Sequence, residues 1–335
     1  MTLRIGTLGA ARITPGALLA PARDHPEVEV VAVAARDTDR ARAYADEHGI
    51  PRVHPSYEAL LADPEVDAVY NPLPNGLHGT WTVAALEAGK HVLCEKPFTA
   101  DAEEAEVVLE AARITGLVVM EAMHYRYHAL TARALELLER GEVGAQQRVE
   151  AAFEVSLPPT DEVRWGPELA GGAMMDLGCY AVHVVRTLAG AEPTVEHAAA
   201  EVDRAGIDST LTAELSFPDG RTGSLSASMV RDGGARFARV VGSDGTLEVQ
   251  NPYTPHVGHE LSVVTGEGRR VETVPAEPTS YAAQLDAFAG AVLRGDPFPT
   301  HPGDSVATMR VIDACYRAAG LAPRRASLPG TAAAG

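Results

Sequence analysis

The sequence predicts an α/β protein of two domains: a doubly wound parallel sheet, then an α/β domain built on a large, mostly antiparallel open sheet. Three observations predict it. Strand-like and helix-like runs alternate through the first 120 residues. A glycine-bearing turn joins the first strand to the first helix. Beyond Met123 the pattern shifts to a long series of short strands. At 335 residues the chain suits two domains of ordinary size.

In the first domain, strands are expected at Leu3–Leu8, Val28–Ala34, Ala68–Asn71, His91–Cys94 and Leu117–Glu121. Helical periodicity falls between them at Ala17–Ala22, Asp39–His48, Tyr57–Leu61, His78–Ala88 and Ala102–Thr115. Asp101 with Glu104 three residues on reads as a capping box for the last of these. Next come a helix at Ala129–Arg140, a strand at Gln147–Val155, a Pro-rich loop and a helix at Leu177–Leu188. From Pro193 to Val274 alternating strands are broken by the turns Pro218-Asp219-Gly220 and Asp244-Gly245. Two helices close the chain, near Tyr281–Leu293 and Ser305–Ala319. The division is read as 1–122 and 123–323, with a C-terminal helix returning to the first domain and a disordered tail over 324–335. No linker separates the domains, so the junction is tight and the cleft between them is the natural ligand site.

Composition excludes several functions. With 46 acidic residues against 28 basic, the net charge of −18 repels nucleic-acid phosphates and anionic lipid. No apolar stretch approaches the roughly 20 residues that span a bilayer, and no secretory signal opens the chain. Cys94, Cys179 and Cys315 lie far apart, which suits a reducing cytoplasm and no metal. Among the 28 basic residues only Lys90 and Lys96 are lysine. In a chain that otherwise writes arginine, a compact ammonium marks a place where the forked guanidinium will not serve. Lys90, at a helix end, is read as chance; Lys96 is not.

The first strand runs into Gly6-Thr7-Leu8-Gly9-Ala10-Ala11-Arg12-Ile13-Thr14 and then a helix. This is a variant dinucleotide fingerprint of the Rossmann type: Gly9 makes the tight turn, and Ala11 and Thr14 replace further glycines. Ala11 still admits a pyrophosphate, which the helix N-terminus favours. The second strand ends Ala34-Ala35-Arg36-Asp37, with Arg40 one turn on. Ala35 stands where an acid would bind the ribose of NAD, and Arg36 with Arg40 suits a 2′-phosphate. NADP is therefore the expected cofactor, with NAD still open because Asp37 could serve a ribose.

Three further motifs resemble the signatures of the Gfo/Idh/MocA oxidoreductases. They are Leu73-Pro74-Asn75-Gly76-Leu77-His78, Cys94-Glu95-Lys96-Pro97, and the run from Gly171-Gly172 through Asp176 to Tyr180. The resemblance covers the chain except its tail. It implies a Rossmann domain followed by an α/β domain whose open sheet often forms an oligomer interface, hence a homodimer or homotetramer. It also implies that Leu73, Pro74, Asn75, His78 and Pro97 line the cofactor, that Glu95 contacts the nicotinamide ribose, and that Lys96 lies near the reacting carbon. Many members carry histidine where this chain has Tyr180. Tyrosine there is similar to the branch of glucose–fructose oxidoreductase, dimeric dihydrodiol dehydrogenase and certain xylose dehydrogenases.

The chemistry supports a Lys–Tyr pair directly. A free phenol titrates near 10, and an ammonium beside it lowers that value so that it exchanges a proton as hydride moves. The expected reaction is hydride transfer between nicotinamide and the carbonyl or hydroxyl of a sugar or cyclic polyol. Tyr180 is the acid/base, Lys96 its tuner and Asp176 its orienting group. Tyr125, Arg126, Arg164, Trp165 and His183 are substrate candidates, although Tyr125 and Arg126 could equally be a structural hinge. Two rival readings are a nicotinamide-dependent glycoside hydrolase and a non-catalytic cofactor-binding regulator. Against them stand the absence of a glycine–histidine loop and the retention of Lys96 and Tyr180.

Overall fold

The computed structural model describes residues 2–158, 162–203 and 206–326. Its first sheet holds β1 (Leu3–Leu8), β2 (Val28–Ala34), β3 (Arg52–His54), β4 (Ala68–Asn71), β5 (His91–Cys94) and β6 (Val119–Glu121). All pair in parallel, in the order β3-β2-β1-β4-β5-β6. The strands read as near-continuous apolar runs because helices cover both faces, leaving Ile5, Leu8, Val33, Val69 and Leu93 wholly buried. Strand order reverses between β1 and β4, which opens a crevice at their carboxyl ends. β3 escapes the sequence pattern, since it is three residues long and carries Arg52 and His54.

Capping fixes where the helices begin. Asp37 caps Thr38–His48 by accepting from the backbone N–H of Asp39 and Arg40, at 2.9 and 3.0 Å. Asp101 caps Ala102–Thr115 through Glu104 N at 2.8 Å. The capping box is displaced, however: Glu104 reaches back to Ala100 N, at 2.9 Å, rather than to the cap residue.

The second sheet has eight strands: β7 (Gln146–Glu154), β8 (Thr194–Val202), β9 (Asp208–Ser216), β10 (Thr222–Ser228), β11 (Arg236–Gly242), β12 (Gly245–Gln250), β13 (Glu260–Thr265) and β14 (Gly268–Glu272). Their order is β14-β13-β12-β11-β7-β10-β9-β8. β7 lies in the middle and runs parallel to β10; every other pairing is antiparallel. One face buries Val149, Leu211, Leu225, Val240, Leu247 and Val263 beneath the helix Cys179–Ala189. A sheet with helices on one side only is expected to leave an apolar face that needs cover. The opposite face is polar instead, because alternation along the strands places Arg148, Glu150, Thr212, Glu214, Ser224, Arg239 and Glu248 there.

A single apolar core runs from β2 through the helix Ala102–Thr115 into the second sheet and the helix Pro302–Ala318. The helix Ser280–Arg294 also returns to the first domain, burying Leu285 and Phe288 against Leu3, Ile5, Leu18 and Tyr70. Two closing helices thus straddle the junction, not one. Arg324, assigned above to the disordered tail, is packed: it pairs with the fully buried Asp208 and lies 4.8 Å from the Tyr316 ring centroid. Residues 327–335 of that tail lie outside the described residues. No helix among those described is long and apolar enough to cross a membrane.

Candidate active site

The nucleotide end is built by the β1 turn. Gly9 adopts φ +92°, and its N–H bonds Ala34 O at 2.6 Å, tying the turn to the end of β2. The helical run that follows, Pro15–Leu19 and Ala20–Arg23, starts at Thr14 with no side-chain cap and with Pro15, which has no N–H, at its first position. Ala11 is half-buried, and Arg12 and Ile13 are exposed beside it. Ala35 is buried at the end of β2. Arg36 and Arg40 are exposed, and Arg40 lays its guanidinium against Ala10 O at 2.9 Å, directly over the turn. Asp37 is committed to its cap, which draws its pKa down. An open helix terminus flanked by two arginines fits an anionic dinucleotide carrying an extra phosphate.

The next two loops are pinned to each other. His78 was expected to line the cofactor; its ring is wholly buried, with Nδ1 2.6 Å from Pro97 O and Nε2 2.6 Å from Leu73 O. Burial drives its pKa down to about 4, so the ring is neutral and donates to only one of the two carbonyls. His78 is a bracket between these two loops. Asn75, half-exposed beside Pro74, bonds Ala170 O at 3.1 Å and so joins the first domain to the second. Glu95 follows β5, accepts from Tyr70 Oη at 2.7 Å, and is held up in pKa by burial against the pull of Lys96.

Lys96 Nζ meets Asp176, bonding its backbone carbonyl at 2.8 Å and its Oδ1 at 3.1 Å. Arg164 Nε takes the other carboxylate oxygen at 2.9 Å. Burial opposes the charge on Lys96 and on Asp176, yet their mutual attraction prevails: the lysine pKa rises and the aspartate pKa falls. Asp176 lies in a π-helical turn, Met174–Gly178, that leads into the helix bearing Tyr180. The ammonium stands over the Tyr180 ring, 5.1 Å from its centroid. Phe153, Tyr253, Tyr125 and His124 pack around that ring at centroid distances of 5.8 to 6.2 Å. Burial pushes the Tyr180 phenol well above its ordinary value. The expected depression by Lys96 is therefore not what this geometry gives: desolvation dominates, and Tyr180 rests as a neutral phenol.

The substrate candidates divide. Tyr125 is buried and hydrogen-bonds His183 Nδ1 at 2.5 Å, and His183 Nε2 meets Asp304 at 2.9 Å. Both are locked in a network behind Tyr180. Trp165 donates to Pro158 O and packs with Leu177, Ile207 and Met229, which makes it part of a satellite core. Arg126 is half-exposed, and no ion-pair partner for it occurs among the described residues.

Sequence reading missed Asp208. Its Oδ2 accepts from Met174 N at 2.7 Å at the head of the helix that bears Tyr180, and its Oδ1 from Tyr316 at 3.0 Å and from Arg324. The double glycine makes room for this: a Cβ on Gly172 would meet Asp208 Oδ1 at 2.1 Å, and one on Gly171 would meet Arg164 O at 2.4 Å. The glycines answer to a carboxylate and a carbonyl. Also unforeseen is the group His124, His256, Ser280 and Tyr281 beside Tyr180. No spacing in the sequence links residues 156 apart.

Comparison with known proteins agrees with this geometry. A model described as "Oxidoreductase family, NAD-binding Rossmann fold" matches residues 3–123, and the GFO/IDH/MocA C-terminal domain model matches residues 131–248. The chain is 41% identical to D-xylose 1-dehydrogenase (NADP(+)) 2 of Haloferax volcanii, over 95% of this chain and 97% of that protein. It is 36% identical to the dTDP-3,4-didehydro-2,6-dideoxy-alpha-D-glucose 3-reductase of Streptomyces violaceoruber, over 95% and 96%. Among solved structures it resembles a 3-ketoreductase from Actinomadura kijaniata in complex with NADP and TDP-benzene. That match has a TM-score of 0.88 and 30% identity over 94% of this chain and 97% of that one.

Proposed function

Because the chain belongs to the Gfo/Idh/MocA oxidoreductase family, we propose that it is an NADP-dependent aldose dehydrogenase with Tyr180 as its acid/base. The observation that carries the reading is the meeting of Lys96, Asp176 and Tyr180 at the carboxyl end of β5, where the two domains close on each other. D-xylose is the first substrate to try, given the 41% identity to a D-xylose dehydrogenase over nearly the whole of both chains. Residues 1–122 hold the cofactor and 123–323 the sugar. The three cysteines, all reduced and buried, suit a cytosolic enzyme.

NADP, when bound, supplies the nicotinamide carbon that takes or returns the hydride. Gly9, Ala11, Arg12 and Ile13 hold its phosphates at the helix start, and Arg36 with Arg40 takes the 2′-phosphate. Lys96 presents a fixed positive charge, anchored by Asp176, beside the phenol and the reacting oxygen. That charge stabilises negative charge developing on either oxygen in the transition state. Tyr180, neutral at rest, is ready to donate to a carbonyl oxygen in reduction. In oxidation its oxygen takes the sugar hydroxyl proton as its own proton moves on.

A second reading has one observation in its favour. Arg126, half-exposed without an ion-pair partner among the described residues, would suit an anionic substrate such as a nucleotidyl keto-sugar. Both readings keep Tyr180 as acid/base. The test is NADPH formation from D-xylose by the wild type and by Tyr180→Phe. The variant is expected to bind NADP normally and to lose about 10²–10⁴-fold in kcat. Near-normal kcat in Tyr180→Phe would overturn the assignment. NADPH oxidation with a dTDP-keto-sugar but no turnover of any aldose would favour the second substrate class.

A further inference from the structure

Each sugar oxidation releases a proton into a site that is nearly closed. Tyr180 keeps only 6% of its surface exposed, and burial holds its phenol neutral, so no standing phenolate waits to receive that proton. A neutral tyrosine can act as base only if its own proton leaves as the new one arrives. The chain of groups able to carry it away lies on the other side of His124.

We propose that His124, Ser280 and His256 form a proton relay between Tyr180 and solvent. The inference rests on Tyr180 being the acid/base. Ser280 Oγ is wholly buried and sits between two imidazoles, 2.8 Å from His124 Nδ1 and 2.7 Å from His256 Nδ1. A serine hydroxyl has one proton. It donates to one ring and accepts from the other, so the triad has two arrangements that interconvert when each proton moves one step.

The two ends differ in the way a relay requires. His256 lies in the turn Pro255–Val257, half-buried, next to Val257, which is 75% exposed. His124 is 2% exposed and faces inward, with its ring centroid 5.9 Å from that of Tyr180 and 4.1 Å from that of Tyr281. With the rings in contact but not hydrogen-bonded to each other, the relay takes one bridging water or substrate hydroxyl between the phenol and the imidazole. Burial, with His256 and Lys96 nearby, lowers the His124 pKa to about 3, and burial lowers that of His256. Both rings are neutral and able to accept on one nitrogen while donating from the other. In oxidation the substrate O–H proton passes to Tyr180 Oη and the phenol proton to His124. The Nδ1 proton of His124 moves to Ser280, the serine proton to His256, and a proton leaves His256 for buffer. Reduction runs the same steps backward, and no group is left with net charge. After each oxidation both imidazoles stand in the other tautomer, and they and the serine hydroxyl turn back before the next proton passes.

The experiment compares wild type, Ser280→Ala and His256→Ala in weak and strong buffer, reading NADPH by absorbance and released protons by an indicator dye. Both variants are expected to lose about tenfold in kcat in weak buffer, with KM for sugar nearly unchanged and a larger solvent deuterium effect. Added imidazole is expected to restore His256→Ala, because a small base can replace the ring at the solvent end. Unchanged kcat and isotope effects in both variants would overturn the relay. So would an equal loss in all buffers with no imidazole rescue, which marks a packing role. If either variant fails to fold, the wild-type proton inventory decides: a bowed curve supports several protons in flight, and a straight line overturns the chain. Inactive Tyr180→Phe beside normal relay variants sinks the relay alone. Active Tyr180→Phe sinks the acid/base reading beneath it.

Discussion

Both lysines of the chain end on backbone carbonyls. Lys90 Nζ bonds Asp63 O at 2.8 Å and Val66 O at 2.7 Å, and Lys96 bonds Asp176 O. A compact ammonium can point several protons at carbonyls from a narrow channel, where a planar guanidinium needs width. Both lysines thus serve backbone carbonyls, although the sequence singles out only Lys96. The sense of the Tyr180 shift was not readable, because it depends on how completely Phe153, Tyr253 and Tyr125 shut water out. Glu121 is a second case decided by burial. It is wholly buried, and Ser305 and the Phe98 backbone lie close enough to its carboxyl to favour the charged form. Desolvation raises its pKa from 4.5 to about 8. The folded chain thus keeps a proton that the unfolded chain loses from about pH 4.5 upward. Stability contributed by that proton is full below the lower value and falls away as pH rises through about 8. Glu121→Gln should flatten this alkaline decline and raise the melting temperature at pH 8 more than at pH 5. Parallel curves for the two proteins would show that Glu121 ionises freely.

Among the elements, the ones bounded by strong local signals lay open in the sequence. The strands Leu3–Leu8, Val28–Ala34, Ala68–Asn71 and His91–Cys94 and the helix Ala102–Thr115 fall at their expected limits. Apolar runs buried on both faces, and caps such as Asp101 and Gly116, leave little choice. The head of the helix that bears Tyr180 is not legible in the sequence. Its start at Met174 is set by Asp208, a residue 34 positions away, and by Arg324 at the far end of the chain. Asp208 is 0% and Arg324 11% exposed at the side chain, so neither charge is relieved by water. Removing one partner of a buried pair leaves the other uncompensated, which costs about 3–5 kcal/mol. Arg324→Ala should therefore lower unfolding stability by that order and reduce kcat, since Asp176 and Tyr180 follow directly on Met174. Asp208→Asn combined with Arg324→Met should recover part of the loss, because no lone charge remains. Urea unfolding of the three proteins checks this. A midpoint unmoved in Arg324→Ala would mean that the pair is dispensable.

At the scale of the whole molecule, the open face of the second sheet is the surface through which we expect copies to meet. An apolar face would have demanded cover, but this one carries a ladder of ions: Arg148 to Glu150 at 2.9 Å, Arg148 to Glu214 at 3.1 Å, Arg239 to Glu150 at 3.4 Å and Arg239 to Glu248 at 2.9 Å. Sequence alternation showed that one face would be buried; it did not show that the other would be charged in register, because cross-strand pairing sets that. Exposed pairs of this kind contribute about 0–1 kcal/mol each to a single chain, so folding alone gives little reason for the ladder. Between two copies the same groups would be desolvated and would fix orientation, with the short Ser and Thr side chains of β9 and β10 allowing close approach. The net charge of −18 opposes association at long range, but screening confines that repulsion to about 8 Å at physiological salt, which leaves contact pairs to decide. We therefore expect a homodimer or homotetramer joined through this polar face. Arg239→Glu, at the middle of the ladder, should shift the mass measured by light scattering toward the monomer. Its melting temperature as a monomer should change little, since Arg239 is 38% exposed and each pair is weak. A monomeric wild type at micromolar concentration would remove the assembly, and an oligomer indifferent to Arg239→Glu would place its interface elsewhere.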